Sequence, residues 1–502
     1  MSFITRLVKG AALTWAELDA NFTQLTSKLG ASLVGFQQAG TGAVAETVQT
    51  ELRQTVSVKQ FGAKGDGATP DAAAFNAAAV YMNSVGGGDI LVPFSATAYI
   101  IESTITLFPN VSFVGIGYSS SSLHFTGGNS TMFNFLGVSE AQSLNVTLKN
   151  LNCYSTTTAT GTGLRVRNFF NIHLDKCTFS NFNIGAWADW GIGFFSSKSL
   201  YVLCNRGIQV GGGTGGIRLG LFGTSAFMDT VDIRGGGFSS NVVDINDMGS
   251  QNSLGGLIIE ANYFFEGAAV TGRTLSTRIC SRRAFSIKGN WFEEQQAGRV
   301  QININNYDFD GTLRDPPQGG EITANLFRVQ GGATSEGIHV DRSTALTISN
   351  NDFWWGNAAG GYGINLNDTT SPVTVGPNNY EVYSGGSYTS NVKQATDYNL
   401  FVCPDATQRA NAVNSFVTLP NGMIMQWGSV VFSSSATPTW TFPKPFPTRV
   451  LTAQCTPIQI GGTNSVLLNT DIISSAITTS VVFQLSGGAP IAINGTCFAI
   501  GY

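Results

Sequence analysis

The carboxylates able to do acid/base chemistry are gathered in one stretch of the chain. Glu266 comes near the end of the segment LIIEANYFFEG that begins at Leu257, and Glu293 and Glu294 close the segment FSIKGNWFEE that begins at Phe285. Counted from Asn262 and Asn290, Glu266 and Glu294 hold the same place, four residues after the asparagine. If the two segments stack as strands about 4.8 Å apart, their carboxyl groups come close to the roughly 5–5.5 Å that separates acid and nucleophile in a retaining glycosidase, and skewed side chains reach the wider inverting spacing. Neighbouring carboxylates also raise one another's pKa, which keeps one protonated as the acid. Asp244, one coil earlier, is the next candidate. The same glutamates can equally be turn residues paired with Arg273 or Arg299. Glu260 fits a surface ion-pair ladder with Arg234 and Lys288.

The elements that must position these groups are repeats. FSIKGNWFEE, EITANLFRV from Glu321 and LTISNNDFWW from Leu346 share one pattern: an aliphatic residue, an asparagine three later, an aromatic two beyond that. The asparagines Asn262, Asn290, Asn325 and Asn351 are separated by 28, 35 and 26 residues, a structural repeat with one insertion. Aliphatic strand centres recur at Leu148, Leu174, Val202, Ile233, Ile259, Ile287, Ile322, Ile348 and Val375. Most steps suit one three-stranded coil, so a solenoid is expected, with the aliphatics in columns. The asparagines are expected at a tight bend in left-handed backbone with their amides stacked. Phe179, Phe264, Phe292, Phe327 and Phe353 are expected to make an interior stack.

After each aromatic comes a second strand whose inward aliphatics are Leu164/Val166, Ile208/Val210, Val243/Ile245, Ile302/Ile304, Ile338/Val340 and Ile364/Leu366. Alternation then turns Arg165, Gln209, Asp244, Asn246, Gln301, Asn303, His339, Asp341, Asn365 and Asn367 outward. That ribbon of amides and carboxylates suits a sugar-binding surface, and also a plain solvated face. Trp187 and Trp190, and Trp354 with Trp355, are candidates for stacking on sugar faces, although alternation buries one of each pair. The insertion NNYDFDGTLRDPPQGG places Asp308, Asp310 and Asp315 in a loop able to close one side of a groove. It lacks the EF-hand pattern, and neither a metal nor a cofactor is expected.

Composition narrows the classes. A chain of 502 residues is too long for one compact core. Its 60 glycines and 12% charged residues favour turns and strands over helices. A net charge of -4 gives no basic footprint, so no nucleic-acid partner is expected. No run of about 18 apolar residues supports membrane insertion, and MSFITRLVKG lacks a signal-peptide core. Cysteines without CxxC or Cys/His spacing argue against a disulfide framework or zinc site; Cys153, Cys177 and Cys204 read as small buried hydrophobes. Three histidines, His124, His173 and His339, show no Ser-His-Asp order for an esterase. A polysaccharide lyase stays open as an alternative through Arg273, Arg278, Arg282 and Arg283.

At the N-terminal end, Thr14 to Glu17 has the form of a capping box. Trp15, Leu18, Phe22, Leu25 and Leu29 then form a two-heptad apolar seam, either an oligomer's neck or a helix lying on its own domain. VSVKQFGAKGDGATPDAAAFNAAAVYMNSVGGGDILVP reads as strand, loop, helix, turn, strand, with Asp71 capping a helix whose Phe75, Ala79 and Met82 close the solenoid's first coil. After Tyr383 the repeat stops at a linker, and an antiparallel β domain follows.

VSVKQFGAKGDG, Asp71 and GGGDILVP together resemble the N-terminal segment of the pectate-lyase-like right-handed β-helix proteins. That family often has Thr where this chain has Ala72, a departure that concerns local capping. LVKGAALTWAELDANF with GFQQAGTGAVAETVQTELRQ resembles the virion-proximal end of bacteriophage tailspikes, and NGMIMQWG followed by FPKPFP resembles the C-terminal domain of phage tail fibres. The expected fold is all-β: a right-handed parallel β-helix with a short N-terminal helical neck and cap and a C-terminal antiparallel β domain. The expected division is 1–55 neck and connector, 56–383 capped β-helix, and 384–502 trimerisation or receptor binding. The resemblance implies a homotrimeric virion tail protein, made in the host cytoplasm and joined through its N-terminus to a tail, baseplate or adaptor protein. It further implies binding or hydrolysis of a bacterial surface polysaccharide, capsule or O-antigen, at the cell surface. A non-catalytic receptor-binding fibre is the rival expectation.

Overall fold

The computed structural model describes residues 10–28, 34–117, 120–137, 145–156, 160–212, 228–248, 255–266, 270–280, 283–294, 296–306, 317–330, 334–356, 361–367, 373–382, 390–394, 401–402, 415–418, 423–432, 439–457, 465–468, 479–486 and 493–502. The chain forms two compact units, Met1–Ile208 with Gly215–Thr224, and Gln209–Thr214 with Ser225–Tyr502.

In the first unit the helix Trp15–Lys28 starts at the expected box: the Glu17 amide donates to Thr14 Oγ1 at 3.2 Å, and Glu17 Oε2 accepts from the Thr14 amide at 2.8 Å. Trp15 and Phe22 of its seam are exposed; Leu29 lies outside the described residues. The helix Ala72–Ser84 buries Phe75, Ala79 and Met82, and Phe75 stacks on Phe113 at 5.7 Å and meets Tyr99 edge-on. Asp71 stands at its N-cap position without capping it. Its carboxylate instead accepts from the amides of Lys64 at 2.6 Å, Gly65 at 3.1 Å and Ile100 at 3.3 Å, while Glu102 receives the Ala72 amide. The Lys64 amide takes one oxygen, and the Gly65 and Ile100 amides share the other.

Three parallel sheets follow. In this unit the first contains Gly88–Val92, Val111–Gly115, Val146–Lys149, Phe169–Asp175 and Gly191–Ser197; the second Tyr99–Ile101, Ser122–Phe125, Asn152–Ser155, Thr178–Ser180 and Leu200–Val202. The third contains Thr131–Leu136, Thr160–Arg167 and Phe182–Ala188. Leu148 and Leu174 are in register, but the next residue of that column is Ser196, not Val202. Val202 belongs to the second sheet. This coil is shorter than the average step, so counting by the average carried the column into the wrong strand. Cys153, Cys177 and Cys204 are buried among the aliphatics, as expected.

In the second unit the first sheet contains Met228–Arg234, Leu257–Glu260, Arg283–Lys288, Gln318–Thr323, Leu346–Ser349 and Val373–Val375. The second contains Gly237–Ser239, Tyr263–Phe265, Trp291–Glu293, Leu326–Val329, Asp352–Trp355 and Asn379–Val382. The third contains Val243–Asp247, Leu275–Cys280, Val300–Asn305, Glu336–Val340, Tyr362–Leu366 and Ser390–Gln394. Phe238, Phe264, Phe292, Phe327, Phe353 and Tyr380 form one near-parallel inner stack with centroids 4.4–5.1 Å apart.

Between the first and second sheets runs a ladder of side-chain amides. Nδ2 of Asn262, Asn290, Asn325 and Asn351 donates in turn to Oδ1 of Asn290, Asn325, Asn351 and Asn378, at 3.1, 2.9, 3.0 and 3.0 Å. The left-handed backbone lies one residue earlier than expected, at Ala261, Gly289, Ala324 and Asn350. The bend is made there, and the asparagines are spared for satisfying buried backbone groups. The C-terminal sheets are antiparallel: Ser415–Thr418, Ile424–Phe432, Ile493–Gly501 and Val450–Pro457 in one, Thr439–Thr441, Ser480–Ser486 and Ser465–Leu468 in the other. Their core includes Trp440, Phe442, Phe446 and Phe483.

Candidate functional site

The second-sheet strands Tyr263–Phe265 and Trp291–Glu293 are in register, and the Glu266 amide donates to the Glu293 carbonyl, so Glu266 and Glu294 follow on adjacent rungs. Asp244 and Ser276 come from the third sheet. Asp244 and Glu294 converge on Arg273, whose side chain is fully buried. Its Nη2 donates to Asp244 Oδ2 at 2.8 Å and to Glu294 Oε1, its Nε to Glu294 Oε2 at 3.0 Å, and its Nη1 to the Asn241 carbonyl at 2.7 Å. Ser276 and Asn241 each donate a further bond to Asp244. Glu266 Oε1 accepts from Arg299 Nη2 at 3.0 Å and from the Val270 amide at 3.3 Å.

Three carboxyl groups therefore face two guanidinium groups in a space closed to water, and the mismatch is settled by a proton. Burial pushes Glu294 up to about 7 against the pull of Arg273. Burial opposes ionisation of Glu266 too, but hydrogen bonds from Glu294, Arg299 and the Val270 amide hold it below the usual carboxylate range. Both Glu294 oxygens face Arg273, and Glu266 gives up its proton at lower pH than Glu294 does. A carboxylic acid beside a carboxylate is the division of labour that acid/base catalysis uses. Glu266 and Glu294 are, however, 0% and 2% exposed, and Asp244 is fully enclosed. The ion-pair partners anticipated for the turn glutamates, Arg273 and Arg299, are present; the solvation expected with them is not. Asp244 does not join an outer ribbon, because Arg273 fills the place solvent would occupy.

A different surface lies on the outer side of the second sheet. Since Phe264, Phe292, Phe327 and Phe353 face inward, their flanking residues face out: Tyr263 and Phe265, Trp291 and Glu293, Leu326 and Arg328, Asp352 and Trp354. Trp291 is 45% exposed, and Tyr263 and Trp354 are 38% exposed. Glu293 accepts from Tyr263 Oη at 2.8 Å and from Arg328 Nη1 at 2.5 Å. Burial and the Glu293 carboxylate push Tyr263 up to about 12, so it remains a donor. The Tyr263 and Trp291 rings meet edge-on at 5.4 Å. Trp291, Arg328, Trp354 and Gly356 line a pocket of about 150 Å³. Flat aromatic faces beside a fixed array of donors and acceptors match a pyranose, which has apolar C–H faces and a polar rim.

Residues 55–219 match the family model "Rhamnogalacturonase A/epimerase, pectate lyase-like", and residues 418–502 match "Putative tail fiber protein gp53-like, C-terminal". Among solved structures, a double mutant of the tailspike protein of E. coli bacteriophage HK620 is similar with a TM-score of 0.62 at 11% identity, over 96% of this chain and 100% of that one. The HK620 tailspike in complex with a pentasaccharide gives 0.59 at 12% identity over the same shares. The chain has the tailspike fold. No curated protein sequence matches significantly.

The remaining expected site residues are scattered. Gln301 is fully enclosed and donates to the Arg328 carbonyl at 2.6 Å, bridging the third sheet to the second, so it does not sit on the outer ribbon. Asn246 is nearly enclosed and donates to Met248 Sδ. Asn303, His339 and Asn365 form one column. His339 is held between Glu336 at Nδ1 and Asp341 at Nε2, the latter at 2.9 Å. Burial opposes its charge, but Asp341 and Glu336 raise it to about 9, and Asp341 is lowered in return. In the first unit Trp187 has the Arg165 guanidinium 4.1 Å over its ring, and Trp190 is buried. Trp355 is the buried member of the other pair. Asp308, Asp310 and Asp315 lie outside the described residues, as does Arg282. No cluster of His, Cys, Asp or Glu able to hold a metal occurs among the described residues, and no described helix is long and apolar enough to cross a membrane. The residues that sequence reasoning missed are Tyr263, Trp291 and Arg328. Their signal was present: each flanks an inward phenylalanine by one position.

Proposed function

We propose that the chain is a phage tail protein that binds a bacterial surface polysaccharide along the outer face of the second sheet, and that it cleaves this polymer by hydrolysis. The observation that carries the binding is the exposed trio Tyr263, Trp291 and Trp354 around the Glu293–Arg328 ion pair, all on the rigid strands of one sheet. The HK620 tailspike, of the same fold, is known in complex with a pentasaccharide. That supports a glycan as ligand and a virion tail as location; in this reading the N-terminal segment joins the tail and the C-terminal domain serves assembly as a homotrimer. Glu293 is the carboxylate at the centre of this aromatic cluster, mostly covered by Tyr263 and Arg328. Beside it, burial raises Glu294 to about 7.

One observation favours a second reading. Arg273 and Arg299 seal Asp244, Glu266 and Glu294 from solvent, as suits a protein that binds without cleaving. Incubation with a panel of purified capsular and O-antigen polysaccharides separates the readings. Oligosaccharides with new reducing ends support hydrolysis, ultraviolet-absorbing unsaturated products mean a lyase, and polymer bound but unchanged means a binding protein only. Trp291→Ala should weaken binding at least tenfold, about 1.4 kcal/mol, at unchanged thermal stability. Glu293→Gln should abolish cleavage while binding persists. If W291A binds like the wild type, the glycan lies elsewhere.

A further inference from the structure

The C-terminal antiparallel sheet holds two thiols that glycan binding does not use. Cys455 on the strand Val450–Pro457 is directly opposite Cys497 on Ile493–Gly501. Directly opposed residues of an antiparallel pair project to the same face with Cα atoms about 4.5–5.5 Å apart, inside the roughly 4.4–6.8 Å that a disulfide spans. Both side chains turn toward the core of this sheet, where Cys497 is fully buried and Cys455 keeps contact with solvent. Both are free thiols. The neighbouring Cys497 thiol lowers Cys455, and Cys455 together with burial raises Cys497. The pair is therefore unequal, with an accessible sulfur that ionises first and an enclosed one that follows. Cys153 and Cys177 offer the contrast. Both are fully buried, and burial pushes Cys177 up to about 12.

We propose that Cys455 and Cys497 are a thiol–disulfide modification site whose reagent is a small-molecule disulfide such as oxidised glutathione. The Cys455 thiolate attacks one sulfur of the reagent, a mixed disulfide forms at Cys455, and one glutathione leaves as a thiolate that takes up a proton. The Cys497 thiol then gives its proton to solvent, attacks the Cys455 sulfur and expels the second glutathione. Two cysteine thiols become one disulfide, and the reagent is reduced to two thiols. A reducing cytoplasm leaves the pair open and an oxidising medium closes it. Closure ties the last strand of the chain to Val450–Pro457 and restricts the unfolded chain between them.

The test uses the full-length chain in native buffer with oxidised glutathione, followed by acid quenching, denaturation, alkylation of remaining thiols and peptide mass spectrometry. The expected product is a peptide pair joined through Cys455 and Cys497, with Cys153 and Cys177 recovered as alkylated thiols. The midpoint of the sheet's thermal unfolding should rise by about 5 °C or more, and dithiothreitol should reverse it. Cys455→Ser should leave Cys497 as an alkylated thiol. Recovery of both cysteines of the wild type as alkylated thiols overturns the proposal. So does a mixed disulfide at Cys455 that never closes, or equally fast glutathione addition to Cys497 in C455S. None of these outcomes depends on whether a glycan binds.

Discussion

Arg273 shows how one side chain decides what its neighbours can do. With Asp244 and Glu294 both bonded to it in a dry space, its removal leaves two carboxyl groups without their cationic partner where water cannot reach. Arg273→Met, which keeps much of the volume, should destabilise the protein by roughly 3–5 kcal/mol, read as a shift in the urea unfolding midpoint at unchanged slope. If R273M is as stable as the wild type, the network contributes nothing to holding the fold together. Glu293 obeys a different logic. Its partners Tyr263 and Arg328 sit at the surface, so it can exchange a protein contact for a sugar hydroxyl.

At the scale of the element, the asparagine ladder does what the backbone cannot. Asn290 Oδ1 accepts from the amide and side chain of Asn262, and its Nδ2 donates to the Ile259 carbonyl at 2.9 Å as well as to Asn325. Asn290→Ala strands groups of Ile259, Asn262 and Asn325 at once and should cost about 2–4 kcal/mol, measurable by chemical denaturation. An equal loss in Trp291→Ala would show that the rung, not the ladder, is being felt. The repeat was legible because its residues serve the scaffold: Ile259, Asn262 and Phe264 recur in each coil under the same packing demand. Alternation about the inward phenylalanines was equally available and would have placed Trp291 and Arg328 outside. The state of the glutamates was not legible. Glu266 and Glu294 could be put on neighbouring rungs by counting, but their burial depends on Arg273 and Arg299, which arrive from the following segments at no fixed spacing. The left-handed bend was misplaced by one residue because asparagine tolerates it, while the fold needed asparagine's amide more than its backbone freedom.

Over the whole molecule these local charges set a pH response. Glu294, raised to about 7, and His339, raised to about 9, both hold a proton in the folded chain that the unfolded chain gives up sooner. For each, the stability linked to that proton is complete below the unfolded value, about 4.3 for Glu and about 6.5 for His, and is lost as pH rises through the folded value. The unfolding temperature should therefore fall between about pH 4 and 9, and Glu294→Gln should flatten the lower part of that fall, below about pH 7. A wild-type profile level across this range would refute the assignment of both protons. The asparagine ladder has a consequence at this scale too. At its start the Gly236 amide donates to Asn262 Oδ1, and each later asparagine stands one coil on, as far as Asn378 among the described residues, so its length is counted in complete coils. Lineages of such a protein can lengthen or shorten by a whole turn and keep every amide matched. A slip of a single residue would unmatch them all, and gain or loss of entire turns is then the natural coin of divergence for this architecture.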